Sequence, residues 1–213
     1  MSQPSTLKQP VLPRHLPVKD FHIPEDQYIN ECIIENCTIN AKDIHRLIFE
    51  QVIFKNVTFE DVSFPQIELT DVEFHKCDLS NVDFSEAIFH RVAFMECRML
   101  GIILADATLG NVLFKECQGN FGVFGFGKMK HVFFDTCFLE QCDFYECQFK
   151  EVGFSACQLN EANFAHTPLK GIDLSNNQFE QLQITLPDLN SCTVSSKQAI
   201  GFAKALGLHI KDE

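Results

Sequence analysis

The chain has 213 residues, of which 46% are hydrophobic and 22% charged, and it contains no Trp. Its net charge of -12 argues against binding nucleic acid through the phosphates, because that contact needs an excess of Lys and Arg. No basic segment followed by an apolar core opens the chain, and no apolar run reaches the ~18 residues of a membrane span, so we expect a cytoplasmic protein.

Residues 1–28 predict an irregular N-terminal arm. They hold five of the eight Pro residues and show none of the periodicity that follows. Proline has no backbone N–H and a fixed φ, so a Pro-rich segment does not form regular sheet. We therefore expect the arm to pack against the domain that follows.

From residue 29 to 195 a large apolar side chain recurs at every fifth position except Gly119, and a smaller residue usually stands two positions before it. The stretch between Cys77 and Cys97 shows the pattern with Leu79, Phe84 and Phe94 as centres. Five residues turn a helix by about 140° and leave a strand on its other face, so neither structure uses this period. A chain that turns a corner every five residues does.

A second period of twenty overlies the first. Four units therefore make one turn, and about eight turns stacked at ~4.8 Å are expected. The sequence predicts an all-β fold, a quadrilateral β-helix with identical residues above one another inside it. The structural core columns are Phe54, Phe74, Phe94, Phe114, Phe134 and Phe154, and Cys77, Cys97, Cys117, Cys137 and Cys157.

The four sides of the predicted coil are numbered in chain order. The first is centred on Phe54 and every twentieth residue after it, and the second, third and fourth are centred likewise on Leu79, Phe84 and Phe89. On the first side, apolar residues occupy positions that should face solvent, so we expect the arm to cover them. These residues are Ile33, Ile53, Ala93, Leu113 and Phe133.

Two places disturb the register. Lys42 falls at an inward position, which predicts a bulge around residues 42–48. The run from Gly119 to Gly127 places Gly inside and Phe121 and Phe126 outside. It indicates a distorted turn, a contact site, or no more than local mispacking.

Residues 196–213 predict a short C-terminal helix and tail. Ser195 and Gln198 fit a capping box, and Gly207 suits the position after the helix end. One apolar stripe on this helix could cap the last turn, join two chains into a homodimer, or do both. The stripe consists of Ala199, Phe202, Ala203 and Leu206.

The pattern does not favour metal or catalytic chemistry. All ten Cys fall at the small inward position, and Cys137, Cys142 and Cys147 belong to three different sides, so they do not converge as zinc ligands must. The eight His are scattered and no phosphate-binding loop occurs. We expect no enzyme activity, no metal and no cofactor.

Carboxylates gather on the second and third sides. A solvated surface is the simple interpretation; the alternative is an acidic rod that mimics duplex DNA and competes for a basic DNA-binding surface. The candidate partner-binding residues are Glu60, Asp61, Asp78, Asp83, Glu86, Asp106, Asp143, Glu146 and Glu161.

Units such as 77–81, 82–86 and 172–176 resemble the A(D/N)LXX repeat of the pentapeptide-repeat family, which implies a right-handed quadrilateral β-helix. The nearly unbroken coil, acidic surface and short C-terminal helix are similar to the Qnr and MfpA branch. That resemblance implies a homodimer formed through the C-terminal helix that binds DNA gyrase or topoisomerase IV and protects it from quinolones. Direct binding of nucleic acid or membrane is not implied.

One departure bears on this resemblance. Gram-negative Qnr proteins interrupt the coil with two projecting loops that matter for protection, and this register contains no insertion of that size. Inhibition and protection therefore both stay open. The alternative function is a structural or scaffold module that docks a protein through the helix stripe or the region between Phe121 and Phe126.

Overall fold

The structure is a computed structural model that describes residues 7–42, 44–205 and 207–211. Within these residues the chain forms nine strands, a short 3-10 helix at Leu186–Leu189 and one α-helix. The labelled elements are β1 (Tyr28–Glu35), β2 (Thr38–Ile39), β3 (Ile48–Lys55), β4 (Thr58–Phe59), β5 (Glu68–His75), β6 (Ile88–Met95), β7 (Thr108–Lys115), β8 (Lys128–Asp135), β9 (Gln148–Ser155) and α1 (Ser196–Ala205).

The long strands stack into one parallel sheet in the order β1-β3-β5-β6-β7-β8-β9, and β2 pairs with β4. Each residue pairs with the residue twenty positions later, as Phe74 does with Phe94. The predicted all-β solenoid with four five-residue units per turn is confirmed. Each long strand covers parts of the fourth and first sides and bends between them, for example at Gln51 with φ 55°.

The corners explain why the period is five. The residue two positions after a centre has a positive φ along most of the coil, for example 59° at Asn81. A type II turn needs a positive φ at its third position and is closed by a bond from its fourth residue to its first. The N–H of Val82 donates to the carbonyl of Leu79 at 3.2 Å. Each corner returns the next two apolar positions to the interior.

Stacked aromatic rings fill the interior. From Phe54 to Phe154 the first-side column holds six rings whose neighbouring centroids lie 4.7 to 5.0 Å apart, with planes within 7° of parallel. Phe124, Phe144 and Phe164 form a second stack on the third side. The spacing of the rings matches the spacing of the strands, so one repeated side chain stacks continuously along the coil axis.

The sheet is shorter than the sequence predicts. Seven stacked strands define six turns instead of about eight. Beyond β9 the coil continues as isolated parallel bridges such as Gln158↔Gln178 and Asp173↔Thr193. In β9 the N–H of Gln148 donates to the carbonyl of Gly127 at 2.9 Å, and one turn later that position is Pro168, which has no N–H. The strand therefore does not form there.

The expected bulge lies where the register is disturbed near Lys42. In the regular coil the N–H of Asp83 donates to the carbonyl of Val62, 21 residues earlier. The N–H of Ser63 instead donates to the carbonyl of Ala41 at 3.1 Å, 22 residues earlier, so the acceptor is displaced by one residue. Lys42 does not point inward as its position predicts: it is exposed, with its ammonium 3.1 Å from Asp61. A bulge spares the core an unpaired charge.

The glycine-rich run keeps regular geometry. The N–H of Gly122 donates to the carbonyl of Gly119 at 3.1 Å, and the N–H of Phe124 donates to the carbonyl of Asp143 at 2.7 Å. A Cβ on Gly122 would lie 2.9 Å from the Phe124 ring, and one on Gly127 would lie 2.8 Å from the Phe124 carbonyl oxygen. The ring of Phe124 therefore takes the space of a side chain at Gly122, and the backbone of Phe124 does so at Gly127.

The N-terminal arm covers the first turn of the sheet. Val18 forms a parallel bridge with Ile33, whose N–H donates to the carbonyl of Pro17 at 2.8 Å. The carbonyl of Ile33 accepts the N–H of Lys19 at 2.9 Å. The edge of β1 is thereby paired at this residue, which limits edge-to-edge association there.

Before this bridge, the arm runs along the corner between the fourth and first sides. The N–H of Val11 donates to Asp71 at 2.8 Å, and the N–H of Lys8 donates to the side chain of Asn111 at 3.1 Å. On the adjoining first side, Ala93 and Leu113 occupy outward positions and are each only 3% exposed. The arm thus runs beside the side that the sequence predicts it to cover, where Ile33, Ile53 and Phe133 are half-buried.

Helix α1 closes the other end of the coil. Ser195 and Gln198 exchange capping-box bonds, from the N–H of Ser195 to Gln198 Oε1 at 2.7 Å and from the N–H of Gln198 to Ser195 Oγ at 3.3 Å. The buried amide of Gln198 also donates to the carbonyls of Leu174 and Asn177, both at 2.9 Å. One side chain thus caps the helix and the last turn of the coil.

Candidate protein-interaction surface

The second and third sides carry columns of outward residues that follow the coil axis. On the third side, parallel bridges join Ser63, Asp83, Ile103, Val123 and Asp143 in one line. Neighbours in such a line are separated by the strand spacing of ~4.8 Å. Sequence positions twenty apart therefore become adjacent on this surface.

The nine predicted partner-binding carboxylates lie on this surface but differ in exposure. Asp78, Asp83 and Asp143 are half-buried. The exposed residues are Glu60, Asp61, Glu86, Asp106, Glu146 and Glu161. The exposed group reaches solvent and is the part of the surface that a basic partner would meet first.

The half-buried aspartates brace the turns. One carboxylate oxygen of Asp83 accepts the N–H of Ser85 at 2.9 Å and its hydroxyl at 2.6 Å, and Asp78 holds Ser80 in the same way. Asp143 accepts the N–H of Tyr145 at 3.1 Å. An Asp that bonds the backbone two residues on stabilises a turn, so these side chains serve the fold as well as the surface charge.

Cations of the same chain balance part of the charge near the N-terminal end. Besides the pair of Lys42 with Asp61, Arg98 lies 3.6 Å from Asp78. Both partners of the first pair and Arg98 of the second are largely exposed, and exposed pairs contribute little to stability. They reduce the local field without holding the coil together.

An apolar belt divides the acidic surface into two parts. We define the belt as Leu100, Ile103, Phe121, Val123 and Phe126, which occupy two consecutive turns of the second and third sides. Phe121 is 57% and Phe126 50% exposed. Sequence analysis identified the two Phe residues but missed the belt, although the absence of charge at residues 100–105 and 119–127 was its signal.

The belt continues into an aromatic cluster. The ring of Phe126 lies 5.6 Å from that of Tyr145, which lies 5.4 Å from the ring of His166, both in edge-to-face geometry. Such pairs add a modest orienting energy. The cluster holds the half-exposed ring of Phe126 in a defined place on the surface.

The residues predicted for dimerisation do not form a single exposed stripe. Ala199 is exposed, Phe202 and Ala203 are half-buried, and Leu206 lies outside the described residues. The ring of Phe202 lies 6.0 Å from that of Phe179 in the same chain, so it packs on the last turn of the coil.

Other apolar residues are exposed at this end. The sequence analysis did not identify these exposed residues, because it assigned the helical stripe from spacing alone. Which face of the helix is covered depends on how the helix packs on the coil. They are Ile200, Leu208 and Ile210, with exposures of 43%, 59% and 39%.

The cysteines have a structural role that the small-hydrophobe interpretation did not include. All ten lie among the described residues and are free. The thiols of Cys97, Cys137 and Cys157 donate to the carbonyls 23 residues earlier, each at 3.4 Å, and Cys117 does so at 3.5 Å. Burial raises the pKa of Cys142 to about 12, which keeps this thiol protonated.

Thr167 and Asn177 occupy the same inward position as the cysteines, and their hydrogen bonds show what this position requires of a side chain. The hydroxyl of Thr167 donates to the carbonyl of Phe144 at 2.6 Å and accepts the N–H of Cys147 at 2.8 Å. Asn177 accepts the N–H of Cys157 at 2.8 Å. This position therefore suits side chains that are small and able to hydrogen-bond.

Within 7–42, 44–205 and 207–211, no group of three or more His, Cys, Asp or Glu side chains is arranged to hold a metal ion. In the same ranges no helix has the length and hydropathy needed to cross a bilayer.

The parallel coil with its five-residue unit defines the class: a β-solenoid built from pentapeptides. The family model described as "Pentapeptide repeat region" matches residues 42–118, 67–139 and 127–200. The chain belongs to the pentapeptide-repeat family. Bacillus subtilis (strain 168) has a similar protein, the uncharacterized protein YisX, with 44% identity over 203 residues that cover 94% of this chain and 96% of that protein.

Solved pentapeptide structures overlap this coil more loosely. Trypsin-treated QnrB1, a plasmid-mediated fluoroquinolone resistance protein, has 18% identity and a TM-score of 0.47, with 87% of this chain and 92% of that chain covered. HetL, involved in heterocyst differentiation regulation in the cyanobacterium Nostoc, has 12% identity and a TM-score of 0.42, with coverages of 79% and 85%.

Proposed function

We propose that the chain is a cytoplasmic binding protein that presents the acidic second and third sides of its coil to the DNA-binding surface of a type II topoisomerase. The observation that carries the proposal is the spread of exposed carboxylates over the second and third sides at several levels of the coil, among them Glu60, Asp106 and Glu146. Duplex DNA carries one charge per ~1.7 Å, and a rigid acidic rod competes with it for a basic surface. The resemblance to Qnr and MfpA repeats adds the choice of DNA gyrase or topoisomerase IV.

The test is a supercoiling assay with purified gyrase, and a decatenation assay with topoisomerase IV. The parent protein should inhibit, and the triple variant Glu60→Gln, Asp106→Asn and Glu146→Gln should inhibit less, with the difference shrinking at high salt. A fluoroquinolone added to the cleavage assay separates protection from inhibition.

A matched control removes three carboxylates elsewhere. The control positions are exposed carboxylates outside the acidic second and third sides: Glu68, Glu116 and Glu151. The triple Gln variant at these positions has the same net charge as the test variant. If both variants inhibit equally, the surface charge acts only through the net charge and the DNA-mimic proposal is wrong.

Homodimer formation through the C-terminal end is part of the proposal, since two coils joined end to end would lengthen the acidic rod. Ile200 and Leu208 would form the contact, because Phe202 is already packed on Phe179. Ile200→Ser should shift the protein from dimer to monomer in sedimentation equilibrium. If the parent protein sediments as a monomer at micromolar concentration, the homodimer part of the proposal is wrong.

A scaffold module is the second candidate. The apolar belt favours it, because an uninterrupted acidic surface would suit DNA mimicry better than one divided by Phe121 and Phe126. A chain that leaves both topoisomerases unaffected yet binds a protein through the belt would be such a module.

A further inference from the structure

The apolar belt and the carboxylates on either side of it form one composite surface. We propose that this surface binds an extended segment of a partner protein in which an apolar side chain lies between two basic side chains at alternate positions. The segment would run along the coil axis, with its apolar side chain on the belt and a basic side chain on each acidic flank. The proposal does not depend on the partner being a topoisomerase.

The spacing of the third-side column supports an extended occupant. Asp83, Ile103, Val123 and Asp143 are joined in sequence by parallel bridges, so the two carboxylates lie three strand spacings apart, about 14 Å. An extended chain rises ~3.3 Å per residue and points every second side chain to one face, so residues i and i+4 are about 13 Å apart. Basic residues at these positions match the two aspartates, and residue i+2 reaches the belt.

The corner beside this column also places an apolar residue between carboxylates, but these carboxylates are two strand spacings apart, about 10 Å. Glu86, Asp106, Phe126 and Glu146 stand at successive corners twenty residues apart, so carboxylates lie one turn before and one turn after the half-exposed ring. The charge on both sides of the apolar centre is negative. Charge complementarity therefore selects a segment that is basic on both sides of its apolar residue.

Backbone conformation supports a binding role for the two rings. Phe121 and Phe126 occupy corners with φ of 64° and 61°, a region that bulky side chains enter at a cost and that Asn tolerates well. Two turns before Phe121, the same corner is occupied by Asn81. Half-exposed rings recover little of that cost by burial, so their presence in one turn indicates a contact outside the chain.

The test is a fluorescence-anisotropy titration with a labelled synthetic peptide. The probe is a nine-residue peptide of Gly and Ser that carries Arg, Phe and Arg at positions 3, 5 and 7, chosen to match the spacing above at ~3.3 Å per residue. It should bind the full chain saturably, and binding should weaken as salt is raised. Two control peptides replace both Arg with Glu, or place the two Arg side by side, and both should bind much more weakly.

Protein variants locate the contact. The double variant Phe121→Asn and Phe126→Asn should bind the probe at least about tenfold more weakly, as expected when aromatic anchors are removed from an interface. Because Asn suits these corners, the variant should fold, which its thermal transition will show. Ile88→Ser, at a residue 49% exposed on the fourth side, is the matched control and should bind like the parent.

Three results would overturn the proposal: no saturable binding of the probe, equal binding of the Glu peptide, or equal binding by the double Asn variant. Each can be read separately from the supercoiling assay. If the probe fails to bind while the carboxylate triple variant still loses inhibition of gyrase, the peptide site is wrong and the topoisomerase proposal stands.

Discussion

The first and third sides of the coil use the same five-residue unit and face opposite directions, yet their outward residues have different environments. The first side lies on the long strands, and its outward residues Ala93 and Leu113 are each 3% exposed. The third side is joined between turns by isolated bridges and presents carboxylates and Phe126, which is 50% exposed. One backbone thus carries a closed stabilising side and an open side for contacts.

The difference lies in the outward positions alone. The central residues of both sides are buried: Phe94 on the first side is 0% exposed and Phe84 on the third side is 1% exposed. The inward positions decide that the coil forms, whereas the outward positions decide what each side contacts. Stability and binding should therefore respond to different substitutions, and the five predictions below test this separation from the largest effect to the smallest.

Phe94→Ala should have the largest effect. The ring is fully buried between those of Phe74 and Phe114, at 4.7 and 4.9 Å, and its loss should lower the free energy of unfolding by about 3–5 kcal/mol. Urea denaturation followed by circular dichroism measures it. Phe126→Asn, the same residue type on the surface, should change stability by less than about 0.5 kcal/mol; equal losses would refute the separation.

Asp71→Ala should be next, because it releases the arm from the corner between the fourth and first sides. Arg91 donates to both oxygens of Asp71 at 2.5 and 2.6 Å, and the carboxylate also holds Val11. Removing one member of a buried ion pair should cost about 3 kcal/mol. Hydrogen exchange at the amide of Val11 should accelerate, and unchanged exchange there would show that the arm is held by other contacts.

The same pair makes stability depend on pH. Burial by itself would raise the pKa of Asp71, but the bonds from Arg91 and from the N–H of Val11 outweigh burial and hold the pKa below its ordinary value. A depressed pKa stabilises the fold above the unfolded value of ~3.9, and that stability is lost as the pH falls through the folded pKa. Asp71→Asn should flatten the acid limb of a denaturation profile measured from pH 6 to 2.

Gly127→Ala should have an intermediate effect. Its Cβ would lie 2.8 Å from the carbonyl oxygen of Phe124, so the turn below the belt must shift, at a cost of about 1–3 kcal/mol. In Gly110→Ala the nearest atom would be 3.6 Å away, an ordinary contact. Thermal unfolding of the two variants compares them, and equal midpoints would mean that the tight packing under the belt is easily relieved.

Asp83→Ala should have the smallest measurable effect, about 1 kcal/mol, through loss of its bonds to Ser85. Glu86→Ala, an exposed carboxylate on the same side, should be nearly neutral. The pair separates carboxylates that brace turns from those that only charge the surface. If Glu86→Ala costs as much as Asp83→Ala, that distinction does not hold.

Much of the fold was predictable because apolar residues recur at the inward positions with few exceptions. The period of five identified the column from Phe54 to Phe154, and the capping box at Ser195 and Gln198 predicted where α1 begins. The number of turns in the sheet was overestimated, because side-chain periodicity does not register the backbone donor that Pro168 lacks.

The candidate surface was less predictable. Charges could be assigned to sides from the period of twenty, but the exposure of Phe202 could not, since it depends on how α1 meets Phe179. The role of Asp83 in its turn and the continuity of the belt also depend on neighbours in space.

By itself the sequence determined the repeating unit, the interior columns and the sides on which charge collects, because a strict period places each residue relative to the coil axis. Only the tertiary structure decided which outward residues are free, since the arm, α1 and adjacent turns cover some and leave others open. The physical reason is that inward burial is set locally by each unit, whereas outward exposure depends on segments that are distant along the chain.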